Sequence, residues 1–435
     1  MDWLARDAAA VWHPFTQHSL WLGDEPIVVD RAEGPWLFDV DGNRYLDGVS
    51  SLWVTTFGHR TPEIDEAIRA QLDQLDHATF LGATHMPGIE LAERLLAVAP
   101  AVGAGPRLGK VFFAGDGSSA VEVALKMAYQ HSVQAGGRPR PLFVHLQEAY
   151  HGDTLGAVSV GGMELFHETY RPLLLRTVTV GSPGLRKPGQ GAAERAQEAI
   201  AELTEAMSRH GDEVCAIVIE PMVQAAAGIL TYDAEYLRAA RRLASFHGAL
   251  LICDEVATGL GRTGQMWAVS HACVVPDLLA CGKGLTGGYL PLSAVLTTDA
   301  VYESFLGSAA SGRTFFHGHT YTANPLCCAA ANANLQLIAS RGLVAQAAAL
   351  GERLGSLLAP LASHPGVLEI RRLGTMTGVE VRSAGERTGA AVCRAARRHG
   401  VWLRPLGDTV VLMPPLALGG AETHLLVGAL GRALD

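Results

Sequence analysis

Residues 250–255 read Leu-Leu-Ile-Cys-Asp-Glu, an unbroken apolar run that ends on two carboxylates. Apolar residues in succession, without alternation, suit a strand covered on both faces, as in parallel sheets. We expect that strand at Ala249–Cys253. A carboxylate at its buried end needs a cationic partner or several donors. Just upstream, Ala234–His247 has helical spacing and stops at Gly248, a residue suited to ending a helix.

On either side, short β-rich runs alternate with longer helical patterns. Strands are expected at Lys110–Phe113, Pro141–Leu146, Thr177–Val180, Ala216–Ile219 and Leu292–Thr297, and helices at Ala120–Gln134 and Ala192–Arg209. Within Ala120–Gln134, Val121, Ala124, Leu125 and Ala128 form one apolar face. This rhythm predicts an α/β fold whose large domain has a mostly parallel sheet with helices on both faces. Ligands in such sheets sit at the carboxyl ends of the strands.

The two ends of the chain read differently. Ile27–Val29, Trp36–Asp39 and Arg44–Leu46 suggest hairpins, with Asp41-Gly42 as a turn. Beyond Ala323 a long apolar helix runs to about Ser340, and a mixed segment closes the chain. The expected organisation is a large domain over 56–325 and a small α+β domain made from 1–55 and 326–435.

Bulk properties narrow the class. With 435 residues, 49% hydrophobic and 18% charged, the chain has ample apolar surface to bury. A formal charge of −9 disfavours a nucleic-acid partner, which calls for a basic stripe. No apolar run reaches the length of a membrane span. The start, Met1 to Trp12, lacks the basic region and apolar block of a secretory signal. Seven scattered cysteines without CxxC spacing suit reduced thiols. A cytoplasmic protein with small-molecule partners is expected, without membrane or nucleic acid.

Four features fall near strand ends. Ala114-Gly115-Asp116-Gly117-Ser118-Ser119 leads into a helix, and free N–H groups at a helix start suit a phosphate. A capped turn explains the same residues. Asp254 could hold the ring nitrogen of a pyridine protonated, or could serve as a cap or ion-pair partner. Cys281-Gly282-Lys283-Gly284 puts a lysine on uncrowded backbone; if buried, its neutral amine could condense with a carbonyl, whereas a loop lysine is ordinarily exposed. Tyr150-His151 could stack on a planar ring or pack at a sheet edge. His317-x-His319 suggests a metal, but no further ligand has the spacing to complete a site, so none is expected.

Taken in order, these features change the reading. LLICDEVATGLGRTG (250–264), PDLLACGKGLTGGYLPLSAVL (276–296), FFAGDGSSAVEVALKMA (112–128) and AYHGDTLGAVSVGG (149–162) resemble the class III, or ω-amino acid, branch of the fold-type I pyridoxal-phosphate transferases. The resemblance covers nearly the whole chain, from WHPFTQ (12–17) to WLRPLGDTVVLMPP (402–415). It implies a PLP-dependent aminotransferase with pyridoxal 5'-phosphate as cofactor. Lys283 would carry the cofactor and shuttle a proton, Asp254 would meet the pyridinium nitrogen, and Val256 and Tyr150 would flank the ring with His151 nearby. Gly117 and Ser118 would bind the phosphate, and Glu220, in IVIEP (217–221), would order the site.

Within the family, WHPFTQ, DGVSSLWV (47–54), HGHTY (317–321) and LRPLGDTVVLMPP (403–415) are most similar to its biotin-pathway branch. That similarity implies 8-amino-7-oxononanoate as amino acceptor. Thr320, beside His319, would reach the phosphate of a neighbouring subunit, implying a homodimer with shared sites. Phe15, Leu52, Trp53, Gly318 and Arg404 match substrate-contacting positions, with Arg404 facing a carboxylate. Some members carry Tyr, Trp, Pro and Tyr where Phe15, Leu52, His319 and Val411 stand here. S-adenosylmethionine is the usual donor, while SSLWV and HGHTY resemble a lysine-using subgroup; both remain open. Another ω-aminotransferase acting on a diamine or ω-amino acid is the alternative activity, and a non-catalytic relative the alternative class.

Overall fold

The run that ends on Asp254 is a strand, Leu250–Asp254, at the middle of a seven-stranded sheet. The computed structural model describes residues 2–435, and counts here refer to those; Met1, the first residue of the expected N-terminal segment, lies outside them. Across the sheet the strands run Leu108–Ala114, Ser293–Thr298, Leu278–Cys281, Leu250–Asp254, Val214–Ile219, Leu142–Leu146 and Thr177–Val180. Ser293–Thr298 pairs antiparallel on both sides, and the other pairings are parallel.

Apolar continuity along these strands follows from two covered faces. Leu251, Cys253, Ile217 and Ile219 enter one apolar cluster with Leu91, Tyr236 and Trp267. Their neighbours Ile252 and Val218 enter a second, beneath Val121, Ala124 and Ala128 of the helix Gly117–Gly136. Successive side chains point to opposite faces, so burial on both leaves no place for a polar alternation. In the central strands Leu250–Asp254 and Val214–Ile219 the first carboxylates, Asp254 and Glu220, come where the apolar run ends, which puts them on one edge of the sheet.

A third cluster gathers residues from distant parts of the chain. Leu46, Val49 and Trp53 pack with Leu350, Val379, Val401, Val410 and Leu426. The N-terminal strands Val29–Glu33, Trp36–Asp39 and Arg44–Asp47 are completed by Val401–Trp402, which pairs parallel with Arg44–Asp47. The first of these strands corrects the expected Ile27–Val29. Its register is set by Val29↔Asp39 and Glu33↔Trp36, so pairing selects the polar, exposed segment after the apolar residues. Leu278–Cys281, which leads to Lys283, is a strand that the periodicity reading did not identify. No helix among the described residues is long and apolar enough to cross a membrane.

Candidate active site

Five strand ends meet at a cavity of about 480 Å³ lined by Trp53, Gly117, Ser118, Tyr150, His151, Glu220, Asp254, Val256 and Lys283, among others. Asp254 is the last residue of Leu250–Asp254, and Glu220 follows Val214–Ile219. Lys283 stands two residues beyond Leu278–Cys281, and Tyr150 follows Leu142–Leu146. The parallel sheet therefore brings together groups far apart in sequence.

Asp254 is buried and has two partners. One oxygen accepts from the backbone N–H of Val256 at 3.0 Å, and the other meets Nδ1 of His151 at 2.8 Å. His151 is buried, and its Nε2 has no partner among the described residues. Burial alone would lower the imidazole pKa, but the bond to Asp254 and the charges of Asp254 and Glu220 raise it overall. Nδ1–H of His151 thus donates to a carboxylate that would otherwise be buried with a single donor. His151 serves Asp254 rather than standing beside Tyr150 as part of a stacked pair.

Glu220 accepts from Tyr150 N at 3.1 Å and Ala225 N at 2.9 Å. Burial pushes its carboxyl up to about 7, with Asp254 adding to the rise and His151 opposing it. Lys283 has φ of 42°, and its Nζ lies 5.5 Å from the Trp53 ring centroid. No hydrogen bond or ion pair holds Nζ among the described residues. Burial lowers its pKa, against the pull of Asp254 and Glu220. A lysine so placed has access to its neutral, nucleophilic form.

The phosphate end is shaped by two close backbone approaches. A Cβ on Gly117 would lie 2.7 Å from Cγ1 of Val256, and one on Gly152, at φ +116°, would lie 2.3 Å from Ser118. Asp116 caps the helix by accepting from Ser119 N at 2.9 Å, and Gly117 and Ser118 of its first turn line the cavity. The Ser118 hydroxyl meets Thr154 Oγ1 at 2.7 Å. A narrow cradle with a helix start, a buried carboxylate and a lowered-pKa lysine fits pyridoxal phosphate in phosphate, ring nitrogen and aldehyde respectively.

Other expected residues lie outside that cavity lining. Phe15 is exposed and packs edge-on against Phe166 at 5.5 Å, and Phe166 in turn meets Tyr150 at 6.2 Å. Leu52 is exposed. Gly318 and His319 line a separate hollow with Gly115, Asp116, Ser119, Glu122 and His317. Thr320 is exposed. Arg404 begins the strand Arg404–Leu406 and has no carboxylate partner among the described residues. Burial lowers its pKa, and Tyr150 works the other way.

Asp153, Thr154 and Phe166 went unidentified in the sequence. Tyr150 OH donates to Asp153 at 2.8 Å, and burial together with that bond raises the phenol pKa. Asp153 and Thr154 directly follow Tyr150-His151-Gly152, so reading the turn two residues further finds them. Phe166 carries no such signal.

Three comparisons bear on this site. A family model described as aminotransferase class-III matches residues 21–434. The adenosylmethionine-8-amino-7-oxononanoate aminotransferase of Nitratidesulfovibrio vulgaris is 49% identical, covering 98% of this chain and 80% of its own length. The crystal structure of the enzyme of that name from Methanocaldococcus jannaschii superposes with a TM-score of 0.92 at 36% identity, over 99% of this chain and 98% of the other. An amine transaminase from an uncultivated Pseudomonas species, solved in its PLP-bound form, has a TM-score of 0.89 at 34% identity, with 98% of each chain covered.

Proposed function

Since this chain belongs to the class-III aminotransferase family, we propose that it aminates 8-amino-7-oxononanoate to 7,8-diaminononanoate, the acceptor in the names of its relatives. It is a pyridoxal-phosphate-dependent transaminase. The amino donor is S-adenosylmethionine, which those names also carry. Lysine is the second reading, favoured by SSLWV and HGHTY, where an exposed Leu52 stands in place of a larger indole.

The observation that carries the chemistry is the convergence of Lys283, Asp254 and the Gly117–Ser118 turn on one cavity. When bound, pyridoxal phosphate supplies a sink for the electron pair released at the amine-bearing carbon. Lys283 would hold the cofactor through Nζ and would serve to move a proton at that carbon, a task its lowered pKa suits. Asp254, steadied by His151, would accept a ring N–H. Gly117 and Ser118 bind the phosphate, and Val256 and Tyr150 bound the ring. Glu220 fixes the Tyr150 turn through its backbone bond. Arg404, unpaired and partly buried, receives the substrate carboxylate, with Trp53 and Leu52 along the chain of the substrate.

The working unit is a homodimer in the cytoplasm. Trp12, Leu81 and Phe316 are 90%, 88% and 82% exposed, large apolar side chains that a partner surface would cover. Phe15, Gly318, His319 and Thr320 complete the partner's site, Thr320 at its phosphate. Residues 56–325 form the cofactor domain, and 1–55 with 326–435 the smaller one. The test is a titration of the yellow holoenzyme with S-adenosylmethionine and, separately, lysine, followed by addition of 8-amino-7-oxononanoate. Bleaching by one donor and release of diaminononanoate are expected. Bleaching without diaminononanoate would favour an ω-aminotransferase for other amines, and no bleaching at all a non-catalytic relative.

A further inference from the structure

Trp53 reaches the cavity on a backbone that side-chain-bearing residues avoid. Ser50, Ser51 and Trp53 have φ of 51°, 59° and 67°, and Ser51 combines its φ with ψ of −85°. That pair of angles belongs to the rare, strained form of the γ-turn. Glycine adopts it at little cost, and glycines stand nearby at 48 and 58, yet position 51 is serine. Strained conformations persist only where their surroundings over-determine them.

Asp47 supplies those surroundings. Its side chain is wholly buried, and its two oxygens accept from Ser51 N at 2.7 and 2.9 Å. His59 Nε2 meets the same carboxylate at 2.9 Å, and Val49 N at 3.3 Å. The loop is also sewn to the C-terminal segment. Ser50 Oγ donates to Met413 O at 2.8 Å, Gly48 N to Trp402 O at 3.0 Å, and Met413 N to Gly48 O at 2.8 Å. On the far side the buried Arg262, whose charge feels that of Asp47, donates to Thr55 O at 2.9 Å and Pro414 O at 2.6 Å. Trp402 lies two residues before Arg404. One set of bonds therefore ties the wall that carries Trp53 to the strand that carries Arg404.

We propose that Asp47 is a positioning residue for the amine site: its hydrogen bonds hold Ser51 in the strained turn and so fix Trp53 beside Nζ of Lys283. The proposal rests on the reading above only in taking Trp53 as a wall of that site. The indole N–H of Trp53 is buried and has no partner among the described residues. If the strain is released, the loop gains other conformations, and binding must then re-order it at a cost in affinity. Chemistry at Lys283 changes less.

Ser51→Gly relieves the strain and keeps the buried charge and both bonds from the backbone N–H, at the loss only of the Ser51 Oγ contact with Asp47 at 3.4 Å. The holoenzyme, Ser51→Gly and Asp47→Asn are titrated with S-adenosylmethionine, lysine and 7,8-diaminononanoate, and the amine that bleaches wild type at the lowest concentration is the probe. The signal of Trp53, taken as the difference from the matching Trp53→Phe protein, is followed under acrylamide quenching. Ser51→Gly should keep or raise Tm by ~1–2 °C, weaken the apparent Kd about tenfold, and make Trp53 more quenchable. Asp47→Asn should weaken Kd in the same direction but with a lowered Tm. An unchanged Kd and unchanged quenching in Ser51→Gly would overturn the proposal. If no amine bleaches wild type, the enzymatic reading fails instead, and quenching of Trp53 alone decides the role of Asp47.

Discussion

Lys283, Asp254, His151 and Glu220 stand on strand ends of one sheet and find their neighbours within the same chain. Phe15, Leu52, Gly318, His319 and Thr320 are exposed and outside that lining, the hollow at Gly318 and His319 sharing Asp116 with it. In the first group each charge is buried against another, so geometry is settled by the electrostatics of the site itself. In the second, side chains as exposed as Phe316 flank the functional positions, and only a further surface can settle their geometry. The contrast teaches that the chain brings the buried chemistry together by itself, while the rim positions are those on which the proposed second copy would act.

Removal of the innermost groups should produce the largest effects. Lys283→Ala deletes the nucleophile, and turnover should fall by ~10⁴-fold or more; Asp254→Asn should cost about 10²–10³-fold. Far-ultraviolet circular dichroism should remain that of the wild type in both. His151→Asn should fall between Asp254→Asn and wild type, since it acts through the Asp254 carboxylate. A near-normal rate for Asp254→Asn would break the inner half of the comparison, because the buried carboxylate would then be structural.

The rim is probed by Thr320→Ala. With a homodimer in sedimentation velocity, loss of one hydrogen bond to a charged phosphate should weaken cofactor affinity about tenfold. The visible band of the saturated holoenzyme should stay where it is. If Thr320→Ala bound cofactor as wild type does, the rim would have no part in the partner's phosphate site.

Legibility in the sequence follows the same division. The helix Ala234–His247 and the strand Thr177–Val180 are found at the bounds that spacing gave, because each buries a regular face. The run Leu250–Asp254 was readable because a strand covered on both sides has no polar residue until it ends. Leu278–Cys281 was missed: its apolar run Leu-Leu-Ala-Cys has neither the alternation nor the β-branched residues of Thr177–Val180, so periodicity does not separate strand from helix. The bond from His151 to Asp254 spans 103 positions, and neither residue encodes its partner locally. The strain at Ser51 is also invisible in sequence, since serine there reads as an ordinary turn residue.

The smallest effect separates two buried glutamates that differ in what they face. Glu220 lines the cavity, whereas Glu255 accepts from Thr258 Oγ1 at 2.6 Å and Val269 N at 2.8 Å, away from it. Burial raises each carboxyl from 4.5 to about 7. Between those values the unfolded chain has released the proton and the folded chain still holds it. Folding stability contributed by each group therefore falls as pH rises from about 4.5 to 7 and levels off above. His151, raised above 6.5, adds stability below that value and loses it as pH climbs through its folded pKa. Thermal melts from pH 5 to 8 should give a shallower decline for Glu220→Gln and for Glu255→Gln than for wild type, by a few degrees at most across the window. The slope is diagnostic; the level is not, because glutamine leaves one backbone N–H facing an amide. Only Glu220→Gln should also move the pH profile of kcat/KM, since only Glu220 shares a field with Lys283. Equal profiles for the two variants would mean that Glu220 belongs to the scaffold, and the inner cluster would shrink to Lys283, Asp254 and His151.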